Sequence, residues 1–250
     1  RALAGLPEIS SIQGDSALRR AALAKAALGD AERAAELAER VSGRERSAAL
    51  LDAAREIWAR DEQAGRRMLN AALYGGAGLT AGRRIGILRS AALSWKSAPE
   101  GLADAVSRIA AREAEEAAGP NVTRELMAVY EALGKWDEAL ALAEDLDDSM
   151  AQCRVRAQKA VDLARSGRKT GARVVLRSLK GQEVRALSRD MQRDLGETYR
   201  LAMPEANLED LQAITPETLR DAALAAFSQA RAAEGQYSEA VCLAAAMSWD

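Results

Sequence analysis

The sequence predicts an all-α protein built from stacked helix-turn-helix units, and three observations carry that reading. Between the five prolines, Pro7, Pro99, Pro120, Pro204 and Pro216, apolar residues recur at three- and four-residue spacing, the period of an amphipathic helix. No segment alternates with period two for long enough to make a strand. A glycine followed by one fixed apolar register returns at 33, 68 and 105 residues (Gly134 to Gly167, Gly167 to Gly235, Gly29 to Gly134), that is, at one, two and three periods. One helix before such a glycine and one after it predict a solenoid of about seven pairs of roughly 34 residues.

The elements follow in order. Residues 1–14 read as a lead-in and 15–250 as the solenoid. Asp15, Thr80, Asn121 and Thr215 are of the types that cap helix N-termini, and Pro216 suits a first helical position. Gly29, Gly134, Gly167 and Gly235 close helices, since glycine accepts the left-handed conformation of a C-terminal cap. The copy at 28–41 (LGDAERAAELAERV) carries Ala34, Leu37 and Val41 in register after Gly29. A weaker copy at 59–72 has Gly65 and Met68, and a degenerate one falls near 97–110. The copy at 133–146 (LGKWDEALALAEDL) repeats the register with Ala139, Leu142 and Leu146, and that at 166–179 (SGRKTGARVVLRSL) with Ala172, Val175 and Leu179. After a degenerate copy near 201–214, the last, 234–247 (EGQYSEAVCLAAAM), carries Ala240, Leu243 and Met247.

The composition suits such stacking. The chain holds 57 alanines and a single phenylalanine, Phe227, so small side chains must let helix axes come close. Alanine also has the highest helix propensity. One pair, such as 121–146, cannot bury its apolar stripe alone, whereas neighbouring pairs bury each other's.

The segment ELMAVYEALGKWDEALALAEDL (125–146) resembles the tetratricopeptide repeat. Leu126, Tyr130, Gly134, Trp136 and Ala139 stand at the family's Leu, Tyr, Gly, aromatic and Ala positions, and Gly235, Tyr237 and Ala240 match again. The family's large aromatic in the second helix is replaced by Ala38, Ala143, Leu176 or Ala244. The resemblance implies a right-handed α-α superhelix whose first helices line a concave groove. It thereby places Arg154 and Arg165 in the groove, with Arg124, Trp58, Trp95, Tyr199 and Gln229 at groove positions of other units. Arginine and aromatic side chains are common interface anchors. Packing of Trp58 and Trp95 between helices is the competing expectation. The family's residues for grasping a peptide's terminal carboxylate are not reproduced.

Several chemistries are excluded or disfavoured. With no histidine, a Ser-His-Asp or Cys-His nucleophile, a histidine-ligated zinc and a histidine general base are impossible within the chain. The glycine-rich run 74–86 lacks a Walker motif, because Gly82 is followed by Arg83 and Arg84. An EF-hand starting at Asp145 would need Gly where Met150 stands and Glu where Arg156 stands. That acidic stretch, with Asp147 and Asp148, therefore reads as a solvated turn. Glu113, Glu115 and Glu116 read as a solvated helix face. Asn121-Val122-Thr123 is a formal glycosylation sequon, read instead as a helix cap. Cys153 and Cys242, with no CxxC, read as two ordinary buried thiols. No apolar run approaches the ~20 residues of a membrane helix, so a soluble chain without membrane insertion is expected.

The net charge of −2 conceals blocks of opposite sign. Residues 99–150 hold 4 basic and 13 acidic side chains, 151–193 hold 12 and 3, and 194–250 hold 3 and 10. Within the basic block Lys169, Arg173, Arg177 and Lys180 form one helical stripe and Arg185, Arg189 and Arg193 another, each expected to pair with acidic neighbours such as Asp137, Glu138, Glu144 and Asp145. The expected function is a non-catalytic scaffold or adaptor binding protein segments, an acidic one at Arg154 and Arg165. No cofactor, metal, nucleic acid or small-molecule substrate is expected. The rival reading is a helical positioning or regulatory domain of a larger enzyme or of a secretion or assembly machine. Ends at Arg1 and Asp250 without a polar capping helix suggest part of a longer array.

Overall fold

A computed structural model describes residues 11–43, 45–75, 78–95, 98–179 and 182–248. These residues form fifteen helices and no strand, and they fall into two compact units, one ending at Leu133 and the other starting at Gly134. That boundary runs through the best repeat copy.

The first unit holds α1 (Ser11–Ala27), α2 (Ala31–Glu39), α3 (Glu45–Trp58), α4 (Glu62–Tyr74), α5 (Ala81–Ser94), α6 (Glu100–Ala117) and α7 (Pro120–Ala132). Helix α1 packs on α2 and α3, α3 on α4, and α5 on α6 and α7. Leu50, Leu51, Ile57, Leu69, Leu73, Ile85, Leu88 and Leu102 are fully buried. Arg19 on α1 pairs with Asp52 on α3 at 2.6 Å, and Arg89 on α5 with Glu125 on α7 at 2.8 Å.

The second unit holds α8 (Trp136–Asp145), α9 (Ser149–Arg165), α10 (Lys169–Ser178), α11 (Gln182–Arg185), α12 (Arg189–Ala202), α13 (Leu208–Gln212), α14 (Glu217–Ala233) and α15 (Tyr237–Ala245). Helix α8 packs on α9, α9 on α10 and α12, α12 on α14, and α14 on α15. Their core gathers Cys153, Val161, Leu176, Leu195, Tyr199, Leu219, Leu224 and Phe227. The degenerate copy near 201–214 is the end of α12, a turn and the five-residue α13. Instead of pairing with a long second helix, α12 lies against α14 so closely that a Cβ on Gly196 would stand 2.3 Å from the Ala222 carbonyl oxygen.

The glycine register is real at the level of backbone and burial. Gly29, Gly134, Gly167 and Gly235 have φ of +83°, +70°, +77° and +79°. After three of them the next N–H reaches back five residues in the Schellman pattern: Asp30 to Lys25 at 2.9 Å, Arg168 to Leu163 at 2.8 Å and Gln236 to Arg231 at 2.8 Å. Ala34, Ala139, Ala172 and Ala240, five residues on, are all buried. Seven residues on, Glu36, Ala141, Val174 and Cys242 are all exposed. Cys242 is thus exposed and free, correcting the expectation of two buried thiols; only Cys153 is buried, and its burial pushes the thiol pKa up.

Other expectations divide. Thr80 caps α5 as expected, accepting from the Arg83 N–H at 3.4 Å, whereas Asp148, read as part of a solvated turn, is the cap of α9 and accepts from the Ala151 N–H at 2.9 Å. Asp15 is no cap: α1 begins at Ser11, inside the expected lead-in, and the Asp15 carboxylate accepts from the Ser42 N–H at 3.1 Å. Asn121 lies in the first turn of α7 behind Pro120, and Pro216 rather than Thr215 immediately precedes α14. The Arg185, Arg189, Arg193 stripe is broken, because Ser188 caps α12 and separates Arg185 from the other two.

Candidate interaction surfaces

Helix α9 carries the arginine pair singled out in the sequence. Its first turn is fixed by the Asp148 cap, and its apolar side is buried through Ala157, Ala160, Val161 and Ala164. Arg154 and Arg165 are exposed, eleven residues and therefore about 16 Å apart on one side of the helix. Val161, at nearly the same angle between them, is only 1% exposed. The two guanidiniums therefore bracket a covered stretch, and Arg165 also pairs with Asp194 of α12 at 3.3 Å.

The remaining predicted positions separate by unit and by burial. In the first unit Trp58 and Trp95 are 5% and 7% exposed, so both indoles sit in the core. Trp58 is wedged between α4 and α6: a Cβ on Gly65 would come within 2.7 Å of its ring, and one on Gly101 within 3.0 Å. The guanidinium of Arg66 lies over the same ring, 5.3 Å from its centre. The Trp95 indole N–H is buried and meets no acceptor among the described residues. Arg124 is exposed, donating to the Asn121 side chain at 3.3 Å. In the second unit Gln229 is exposed on α14, whereas Tyr199 is buried in the core, and burial pushes its phenol up to about 12.

The acidic residues expected to meet the two basic stripes are paired instead with α9, where Lys159 meets Asp137 at 2.5 Å and Arg156 meets Glu144 at 3.4 Å. On α10 Arg173 turns forward, to Glu205 and to the Ala202 carbonyl at 2.7 Å, not back to the preceding acidic block. Lys180 lies outside the described residues.

One polar cluster was missed by sequence reasoning. Glu113 on α6 is not solvated: it is 1% exposed, and it accepts from the Tyr74 hydroxyl at 2.5 Å and from Arg84 Nε at 2.7 Å. Arg84 also donates to the Leu79 carbonyl at 2.6 Å and reaches Glu116 at 3.4 Å, and Arg112 donates to the Tyr74 oxygen. Burial alone would raise the Glu113 carboxyl, but the hydrogen bonds from Arg84 and Tyr74 and the two guanidinium charges outweigh it and hold the pKa below the ordinary range. Two arginines face two glutamates here, so the cluster joins α4, α5 and α6 and presents no surplus charge to a ligand. Tyr74 and Glu113 lie 39 residues apart, which left no local signal of the pairing.

A shallow cleft between α4 and α6 is lined by Arg66, Leu69, Asn70, Ala105, Arg108 and Ile109. Among the described residues no group of three metal-ligating side chains converges, and no helix is long and apolar enough to cross a membrane. No family model, no curated protein and no solved structure matches this chain.

Proposed function

We propose that this chain is a non-catalytic helical scaffold, its helix pairs arranged as a tetratricopeptide-like solenoid, that binds segments of other proteins. The observation that carries this reading is the repeated register: in α2, α8, α10 and α15 the fifth position after the glycine is buried, and the third, seventh and tenth are exposed. Units of that kind bury apolar surface mainly against neighbours and leave helix faces available to partners. Arg154 and Arg165, both exposed on α9, are the proposed contacts for an acidic segment, through forked, charge-assisted hydrogen bonds to carboxylates.

The test is charge reversal of both arginines, with partners trapped by cross-linking in the source cell and identified by mass spectrometry. Arg154→Glu with Arg165→Glu should abolish the α9 cross-links and leave helix content and melting nearly unchanged, since interactions of exposed side chains, such as the Arg165–Asp194 pair, contribute at most ~1 kcal/mol each. Wild-type affinity in the double variant would move the partner elsewhere. A large loss of stability would make the arginines structural.

A further inference from the structure

The cleft between α4 and α6 in the first unit sets fixed positive charge over an apolar floor. On α4, Glu62, Arg66 and Asn70 follow one another at four-residue spacing and so stand on one side of the helix. Arg66 is held from two directions. Its Nε donates to Glu62 at 2.8 Å and its Nη2 to the same oxygen, while the guanidinium lies over the Trp58 ring, 5.3 Å from the centre. Trp58 is itself wedged by Gly65 and Gly101, so the stack has little freedom to shift. These bonds engage one edge of the guanidinium and leave Nη1 for another acceptor.

On α6, Arg108 lines the same cleft from the opposite wall. It is exposed, and among the described residues its guanidinium bonds only to a main-chain oxygen, from Nε to the Asp104 carbonyl at 3.3 Å. The Asp104 side chain does not line the cleft. Between the walls lie Leu69 and Ala105, both buried, and the half-buried Ile109, which is the apolar surface still open. Glu62, Arg66 and Arg108 together leave one positive charge. The neighbouring cluster adds none, because Arg84 and Arg112 face Glu113 and Glu116.

We infer that this cleft holds an acidic side chain of a partner protein, a glutamate or aspartate standing next to an aliphatic residue. The carboxylate bridges Nη1 of Arg66 and the guanidinium of Arg108, and the aliphatic neighbour packs on Ile109. One negative charge matches the surplus of one, whereas a phosphate dianion would exceed it beside Glu62. The cleft is too shallow to enclose a free small molecule as ligand pockets do, so a side chain delivered by its own backbone is the occupant that fits. Arginine is a common anchor of protein interfaces for this geometry of forked donors. The inference rests on the reading of the chain as a binder of protein segments, but it uses a surface other than Arg154 and Arg165.

The probe is the peptide acetyl-Ala-Leu-Glu-Leu-Ala-amide, titrated into the isotope-labelled full chain and followed by NMR. Saturable shifts are expected in the amides of α4 and α6 and in the Arg108 Nε–H, and salt should weaken them. Affinity should fall about tenfold or more when glutamine replaces the peptide's glutamate, and again for Arg108→Gln, since each removes a charge-assisted hydrogen bond. Arg108 is exposed, so the variant should keep its helix content, which circular dichroism checks; the glutamine peptide makes the same test on the unaltered chain. Arg154→Glu with Arg165→Glu should leave the titration unchanged. Absence of saturable shifts, or equal affinity for the glutamine peptide, overturns the inference. Butyrate binding as tightly as the peptide would give the cleft to free acids, and loss of binding in the Arg154, Arg165 variant would give the peptide to α9; either result also overturns it.

Discussion

Glu113 is a buried charge on which three helices of the first unit converge. Its carboxylate is buried and bonded to Arg84 and Tyr74, so Glu113→Gln leaves a guanidinium with 15% side-chain exposure short of its main partner. A loss of about 3 kcal/mol at pH 7, read from urea unfolding, is expected for breaking such a pair. Because the folded pKa is depressed, the stability the group contributes is fully present above the unfolded value near 4.5 and is lost as pH falls through the folded one. The difference between wild type and variant should therefore shrink below about pH 4.5; a constant difference down to pH 3 would refute the assignment. The cysteines offer a second residue-scale measurement. A thiol reagent should modify one site per native chain, Cys242, and reach Cys153 only on unfolding. Rapid modification of both would contradict the burial of Cys153.

At the scale of elements, the α12–α14 contact leaves no room for a side chain at Gly196. Gly196→Ala would bring a methyl group onto the Ala222 backbone, which cannot move aside as a flexible side chain could. A destabilisation of about 2–3 kcal/mol is expected, as for overpacked cores. Gly86→Ala makes the control, since nothing lies within 4 Å of a Cβ there; it should be neutral or slightly stabilising in the interior of α5. Equal melting temperatures for the two variants would show that α12 and α14 do not meet at Gly196.

For the whole molecule, the proposed solenoid makes one prediction independent of any partner. A compact globule of this length has a radius of gyration of about 18 Å, and a stack of helix pairs exceeds it clearly. Solution scattering of the monomer checks this, and a value at the compact figure would remove the solenoid while leaving the helices intact.

The sequence by itself determined the all-helical class, the four glycine caps and the register after them. Each depends on a window of about one helix pair: apolar spacing sets the period, and a left-handed glycine ends the helix wherever the chain folds next. Cys242, read from its residue type as buried, is exposed because it shares its place in the register with the exposed Glu36, Ala141 and Val174. What the register could not supply was which side chains meet across distance. Glu113 reads as one of three solvated glutamates until Tyr74 and Arg84, 39 and 29 residues earlier, are brought against it. Trp58, Trp95 and Tyr199, all at groove positions by resemblance, proved to be core residues. Val161, between the two arginines of α9, proved to be covered. Burial of this kind is decided by the helix that packs opposite, and that partner is chosen by tertiary packing, which no local period encodes.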